Sequence, residues 1–231
     1  PFELLNNVVG GQNVVDASIE MNVKKVIALS TDKACSPINL YGATKLVSDK
    51  LFVAANNYAG SDPTLFSVVR YGNVFGSRGS VVPFFQEQKK NGILPVTDER
   101  MTRFSITLQE GVDLVIDSFS KMWGGEIFIP KIPSYNILDV AKAISPDSKI
   151  VITGIRPGEK IHEEMISTTD ALNTVEYDDY FVILPSTPQW DVAKFINESS
   201  SSKGKMCEYN FSYNSGTNDD FLSIDDLKSI I

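Results

Sequence analysis

The sequence predicts an α/β protein built around a parallel sheet. Two short apolar runs, residues 25–30 and 65–71, lack the alternation of a half-exposed strand, as strands covered by helices on both faces do. Around them lie segments whose apolar residues recur at helical spacing, so that helix and strand alternate along the chain.

Taken in order, Val8, Val15 and Ile19 mark a helix that leads into the first strand at 25–30. Pro37 then delays the next helix until about Ile38. From there Leu40, Ala43, Val47, Leu51, Ala54 and Tyr58 form one apolar stripe, which predicts an amphipathic helix stopped by Gly60. The second strand, 65–71, is followed by an irregular stretch punctuated by Gly72, Gly76 and Gly79. Residues 81–90 read as helix with Gly92 at the C-terminal stop, and 93–97 and 103–107 as short strands. Thr107 and Glu110 form a capping box opening a helix expected to bury Val112, Val115, Ile116 and Phe119. A strand at 126–130 follows, then a helix carrying Ile137, Val140, Ala141 and Ile144, and an alternating strand at 149–153. IRPGEKIHEEMI reads as a prolyl-glycyl turn feeding a short helix. Residues 180–184 are the last strand candidate before a serine-rich linker at 199–205, and the tail from Met206 reads as a small appendage.

Composition narrows the partners. At 231 residues and 42% hydrophobic the chain can bury a substantial core, in one large domain or two small ones. With 21 Lys and Arg against 29 Asp and Glu, the net charge of -8 argues against nucleic acid or an anionic membrane as main partner, so an anionic ligand must be met by local cations. Cys35 and Cys207 are too few for a disulfide framework and lack metal-type spacing, which points to the cytoplasm. His162 is the only histidine, so no zinc site is expected, and a surface or helix-start role is predicted for it. No apolar run approaches the roughly 20 residues of a membrane span. Because Pro1 opens on what already reads as mid-domain helix, the chain is expected to be incomplete.

The chemistry concentrates in STDKACSPINLYGATK, residues 30–45. Tyr41 and Lys45 are four apart on the predicted helix and therefore share a face. An ammonium beside a phenol favours phenolate, which would make Tyr41 a usable base. Either pattern alone is as well explained by a solvated helix face or turn. Asp32 and Lys33, however, fall just past the C-terminal end of a strand, where doubly wound sheets present catalytic groups, and the prolyl turn returns the next helix to that edge. Ser30 and Thr31 add hydroxyls there. The glycines 72, 76 and 79 follow a late strand and lack dinucleotide-fingerprint spacing.

These residues carry a resemblance. STDKACSPINLYGATK, RYGNVFGSRGSVVPFF, TDERMTRFSIT and RPGEK, in this order, resemble the extended short-chain dehydrogenase/reductases and, among them, the nucleotide-sugar 4,6-dehydratases of the inverting, pseudaminic branch. Related dehydratases carry methionine at the position of Tyr41, and related 4-epimerases carry Ser or Thr at Asp32-Lys33.

The resemblance implies the C-terminal part of a doubly wound, Rossmann-like parallel sheet with a smaller α/β substrate-binding domain. Residues 1–95 would be an incomplete dinucleotide-binding domain with the catalytic residues, 96–198 mainly substrate-binding with the chain crossing between the two, and 199–231 linker and appendage. It implies dehydration of UDP-N-acetylglucosamine with inversion at C5, with NADP as cofactor or NAD as the alternative. In that scheme Tyr41 takes the C4 hydroxyl proton, Lys33 removes the C5 proton, Asp32 protonates the leaving C6 hydroxyl with Thr31 beside them, and Lys45 tunes Tyr41 and holds the nicotinamide ribose.

Val74, Phe75, Gly76, Ser77 and Arg78 would lie along the cofactor; Ser30, Asn73, Val81, Thr97, Arg103, Arg156 and Glu159 would contact the sugar nucleotide, with Lys160 solvated. Two guanidinium groups suit a pyrophosphate, and a carboxylate suits ribose hydroxyls. Roughly the first hundred residues of the family pattern, including the glycine-rich turn, have no counterpart here, so this chain is expected to bind dinucleotide poorly and to be inactive alone or dependent on a partner. A homo-oligomer is expected of the complete form. A UDP-sugar 4-epimerase or reductase, and a non-catalytic sugar-nucleotide binder, are the alternatives.

Overall fold

The computed structural model describes residues 2–59 and 64–231, so the helix stop expected at Gly60 lies outside the described residues. A π-helical turn at Leu4–Val9 runs into α1 (Gly10–Glu20), then β1 (Lys25–Thr31), a 3-10 turn (Asp32–Ala34) and α2 (Leu40–Ala55). Next come β2 (Leu65–Tyr71), β3 (Asn73–Val74), α3 (Val81–Gln88), β4 (Ile93–Val96), β5 (Thr102–Ile106), α4 (Leu108–Lys121), β6 (Ile127–Pro130) and β7 (Ser134–Asn136). The remainder comprises α5 (Ile137–Ile144), β8 (Lys149–Ile152), β9 (Glu164–Ile166), α6 (Thr168–Ala171), β10 (Thr174–Glu176), β11 (Tyr180–Ile183), α7 (Val192–Glu198), β12 (Lys205–Met206), β13 (Tyr213–Asn214) and α8 (Ile224–Ile230). No helix among the described residues is long and apolar enough to cross a membrane.

The chain forms two compact units and alternates between them. The first contains Pro1–Tyr71, Val112–Lys131 and Met165–Ser212; the second contains Gly72–Gly111, Ile132–Glu164 and Tyr213–Ile231.

A six-stranded sheet in the order β1-β2-β6-β11-β10-β12 organises the first unit. β1, β2 and β6 are parallel, as the apolar runs predict, and β11, β10 and β12 add antiparallel strands. One face packs Val69, Phe128, Val175, Val182 and Phe195. β1 departs from expectation: it is the edge of the sheet, half-buried rather than covered, because it is paired on one side only among the described residues.

Two helices are correctly read as helices but turn a different face inward. The Leu40 stripe of α2 is exposed, Leu40 itself by 54%, while Gly42, Asp49, Phe52 and Ala55 are buried. A carboxylate that finds a buried cation can define the inner face of a helix, and apolar periodicity does not register that. On α4 the predicted capping box forms, Glu110 accepting from the Thr107 amide at 2.7 Å, but Val112, Ile116 and Phe119 are exposed, Ile116 by 62%. Val115, as expected, packs against the core, and Leu114 joins it.

In the second unit β3, β5 and β7 form one small sheet, and β4 and β8 form a parallel pair. Its core gathers Val82, Phe85, Leu94, Val96, Met101, Tyr135, Ile137, Val140 and Ala141 around Leu227. The C-terminal tail is therefore not an appendage. Leu227 of α8 is fully buried, and the Tyr213 hydroxyl donates to the Ile132 carbonyl at 2.9 Å and accepts its amide at 2.8 Å. The RPGEK turn also departs from expectation: it leads into β9, not a helix. Backbone groups of Glu163 are spent on Ser215, which holds this stretch extended.

Because the cavity left by a buried leucine is only partly filled by relaxation, Leu227→Ala is expected to cost about 2–5 kcal/mol, read from urea denaturation. A cost typical of a surface change, under about 0.5 kcal/mol, would contradict this placement.

Candidate functional site

In the first unit the groups of the STDKACSPINLYGATK segment assemble at the C-terminal end of β1. Thr31 donates to Asp32 Oδ1 at 2.8 Å, and Lys33 Nζ lies 3.0 Å from the same oxygen. Asp32 is fully buried, whereas the Lys33 side chain keeps 32% of its exposure. Asp32 Oδ2 is buried with no hydrogen-bond partner among the described residues. Ser30 is buried one residue before the strand ends.

What brings α2 to this turn is Gly42. The Asn39 side chain caps the helix by accepting from the Gly42 amide at 2.8 Å, and a Cβ at Gly42 would stand 2.3 Å from the Lys33 carbonyl oxygen. Only a residue without a side chain lets the helix sit directly on the Lys33 backbone. Tyr41 is thereby held beside the Asp32-Lys33 turn, and Lys45, one turn on, donates to the Leu29 carbonyl of β1 at 3.3 Å.

A further turn along, Asp49 pairs with Arg70 of β2 at 3.0 Å, both side chains almost wholly buried, and Arg70 also donates to the Met165 carbonyl at 2.9 Å. Tyr71 ends β2 opposite Thr31; burial, and then Tyr41, push its phenol up. Gly42, Asp49, Arg70 and Tyr71 escaped the sequence reading. A glycine inside a helical pattern and an arginine inside an apolar strand were the available signals.

The second unit holds a cavity of about 670 Å³. Six of the predicted sugar-nucleotide residues line it: Asn73, Val81, Thr97, Arg103, Arg156 and Glu159. Phe84, Phe85, Tyr135 and Ile137 supply apolar walls that the sequence did not single out.

Its two cations differ. Arg156 is 72% exposed, 3.9 Å from Glu159. Arg103 is largely covered, and its guanidinium donates to the Thr102 carbonyl at 2.6 Å and to the Ile161 and Lys160 carbonyls at 3.1 Å each. It therefore brings charge to the wall while stapling the loop at 160–161 to β5. Lys160, expected to be solvated, is instead mostly covered and faces Glu163 at 3.8 Å.

Of the expected cofactor residues, Val74 lies in β3 and Phe75 packs edge-on against Tyr135, while Gly76, Ser77 and Arg78 are exposed. Gly76 has a φ of 70° and open space around it. At Gly72, by contrast, a Cβ would meet that of Phe104 at 2.4 Å, so β3 approaches β5 only with glycine there.

His162 begins no helix. It is half-buried, its Nδ1 2.8 Å from the Thr102 hydroxyl and its ring covered by Gly216. Burial, then Arg103 and Arg100, lower its pKa below the ordinary 6.5, with Asp98 opposing.

The parallel strands, the Asp-Lys turn at their carboxyl edge and the adjoining Tyr-x-x-x-Lys helix are those of an extended short-chain dehydrogenase/reductase. Within that class, the chain belongs to the family described as polysaccharide biosynthesis protein, which matches residues 2–185. It is 54% identical to a UDP-N-acetylglucosamine 4,6-dehydratase (inverting) of Campylobacter jejuni, over all of this chain and 70% of the relative. Among solved structures it resembles Pen from Bacillus thuringiensis, with a TM-score of 0.86 and 36% identity over all of this chain and 69% of the other. The dTDP-glucose 4,6-dehydratase DesIV from Streptomyces venezuelae, solved with NAD and TYD bound, shares the fold at a TM-score of 0.61 and 18% identity, over 68% of this chain and 56% of that one.

Two measurements check this geometry. Gly42→Ala, which raises helix propensity, is expected to destabilise the chain by about 1–3 kcal/mol in urea because the obstructing atom is backbone; a stabilising effect would refute the close approach. The single imidazole resonance is expected to titrate below pH 6.5 by NMR. A depressed histidine contributes stability that is present above its unfolded value and lost as pH falls through the folded one, so acidification below neutrality should weaken the fold.

Proposed function

We propose that the chain carries the catalytic groups and nucleotide cavity of an inverting UDP-N-acetylglucosamine 4,6-dehydratase. The observation that supports this most directly is the Asp32-Lys33 pair at the carboxyl edge of the sheet, beside Tyr41. Oxidation and re-reduction at one carbon need a base for one hydroxyl; elimination across the C5–C6 bond needs a second base and an acid. Lys33 and Asp32 are a proton-sharing couple of the required kind. Passage of one proton across their 3.0 Å contact turns ammonium and carboxylate into an amine that can accept the C5 proton and a carboxyl that can protonate the departing C6 hydroxyl.

Tyr41 would take the C4 hydroxyl proton, with Thr31 fixing the orientation of Asp32. A bound nicotinamide dinucleotide would supply the hydride acceptor and donor that oxidation at C4 and reduction at C6 need. Lys45 fits such a group, because an ammonium has three donors and its contact to Leu29 leaves others for ribose hydroxyls. The backbone of residues 74–78 would be a further contact; NADP rather than NAD rests on the resemblance alone. In the second unit Arg156 and Arg103 supply the charge for a diphosphate, Thr97 and Asn73 polar contacts, and Glu159 an acceptor for ribose. An acidic chain can hold a dianion by such local charge. Assembly into a homo-oligomer in the cytoplasm is part of the same proposal.

The test is incubation with UDP-N-acetylglucosamine in D2O at millimolar cofactor. The expected product has lost one water and carries deuterium at C5, and Lys33→Ala should abolish that exchange. A product that keeps its C6 hydroxyl with C4 inverted would make the protein an epimerase, and UDP binding without turnover would leave a binding protein.

A further inference from the structure

We propose that Ser215, with Thr102 and His162, is a positioning residue through which the C-terminal segment fixes the nucleotide-binding loop and the Arg103 guanidinium. This rests on reading the second unit's cavity as the site of UDP. Ser215 is fully buried, and its hydroxyl lies 2.8 Å from that of Thr102 and accepts the Glu163 amide at 2.9 Å. Its own amide donates to the Glu163 carbonyl at 2.8 Å, so one residue of the tail grips the end of the loop at two points. Thr102 adds a third, donating its amide to the Ile161 carbonyl at 3.0 Å. At and just before these anchors lie the Ile161 and Lys160 carbonyls that hold Arg103, whose Nε is also 3.9 Å from Glu163 Oε1. Arg156 and Glu159 stand on the same loop a few residues earlier. Gly216 permits the arrangement, since a Cβ there would meet the His162 ring at 2.5–2.8 Å.

Proton bookkeeping gives the node a direction. A hydroxyl has one proton to give and two lone pairs. With His162 neutral and Nδ1 unprotonated, the chain runs from the Glu163 amide to Ser215, from Ser215 to Thr102 and from Thr102 to Nδ1, and every proton has an acceptor. Protonated at Nδ1, His162 must donate to Thr102 and Thr102 to Ser215, which already accepts from Glu163; the Ser215 proton is then left without an acceptor in the node. The charged groups bearing on His162 are Arg103, Arg100 and Asp98, two cations against one anion, which further disfavours imidazolium. Acid should therefore loosen the loop and weaken nucleotide binding.

The experiment is calorimetric titration of the full chain with UDP from about pH 8 to about pH 5.5, spanning imidazole titration, with the His162 resonance followed in parallel. Thr102→Val, which removes the hydroxyl at constant shape, and Ser215→Ala are each expected to weaken UDP binding about tenfold near neutral pH, as loss of a buried hydrogen bond does. In Thr102→Val, where Nδ1 loses its hydrogen-bond partner, the His162 midpoint should shift from the wild-type value, and the pH at which affinity falls should move with it. Thr102→Ser, which keeps the hydroxyl, should behave as wild type. Unchanged affinity and an unchanged His162 midpoint in Thr102→Val and Ser215→Ala would overturn the assignment while leaving the cavity reading intact. Failure of the wild-type chain to bind UDP overturns both, and is seen before any variant is made.

Discussion

The approach of Gly42 to the Lys33 carbonyl is the constraint on which the Asp32-Lys33 end of the first unit depends. An α-carbon with a side chain could not come so near, so the start of α2 would ride away from the turn that presents Asp32 and Lys33. Helix interiors disfavour glycine by roughly 1 kcal/mol relative to alanine, and a glycine retained there implies that close packing offsets the loss. Further along the same helix, Asp49 and Arg70 act as a second clamp. Breaking one partner of a buried pair leaves an uncompensated charge, which typically costs about 3–5 kcal/mol, so α2 is fixed at both contacts and rotation about its axis is resisted. Tyr41 and Lys45 are carried on a helix whose inner face is set by these two contacts.

On the proposed reading the second unit meets a different problem, that of holding a dianion with a protein of net charge -8. Its cavity combines apolar and aromatic walls with two guanidinium groups placed unequally. Arg156 is mostly exposed, 3.9 Å from Glu159. Arg103 is already engaged by backbone carbonyls, so its geometry is set before any ligand arrives and its charge requires little reorganisation. One cation is thus exposed and the other held in place by backbone carbonyls.

Much of this was legible in the sequence, for identifiable reasons. Strands β1, β2 and β6 and helices α2, α4 and α5 follow from periodicity, and the capping box of α4 from Thr107 and Glu110, because local spacing determines them. The cavity residues Thr97, Arg103, Arg156 and Glu159 came from motif resemblance. What spacing could not reveal was which face of a helix is buried. On α2 the apolar stripe is exposed, because a charged residue defines the inner face through a partner on another strand, and a pairing that distant in sequence leaves no periodic trace. Leu227 and Ser215 were missed for the same reason: the short tail has too little pattern of its own, and its role lies in contacts to residues far earlier in the chain.

Asp32 carries the argument about chemistry furthest. A carboxylate with no solvent exposure and one oxygen without a hydrogen-bond partner is costly, since a buried polar atom forfeits its water without replacement. Thr31 and Lys33 both engage Oδ1, which leaves Oδ2 without a partner among the described residues. A solvated turn would have no reason to bury this group. On the proposed reading it stands where an acid is needed, with the partly exposed Lys33 ammonium 3.0 Å away. On the proposed reading the oxygen without a partner among the described residues is a group held ready for a reacting hydroxyl rather than a packing fault.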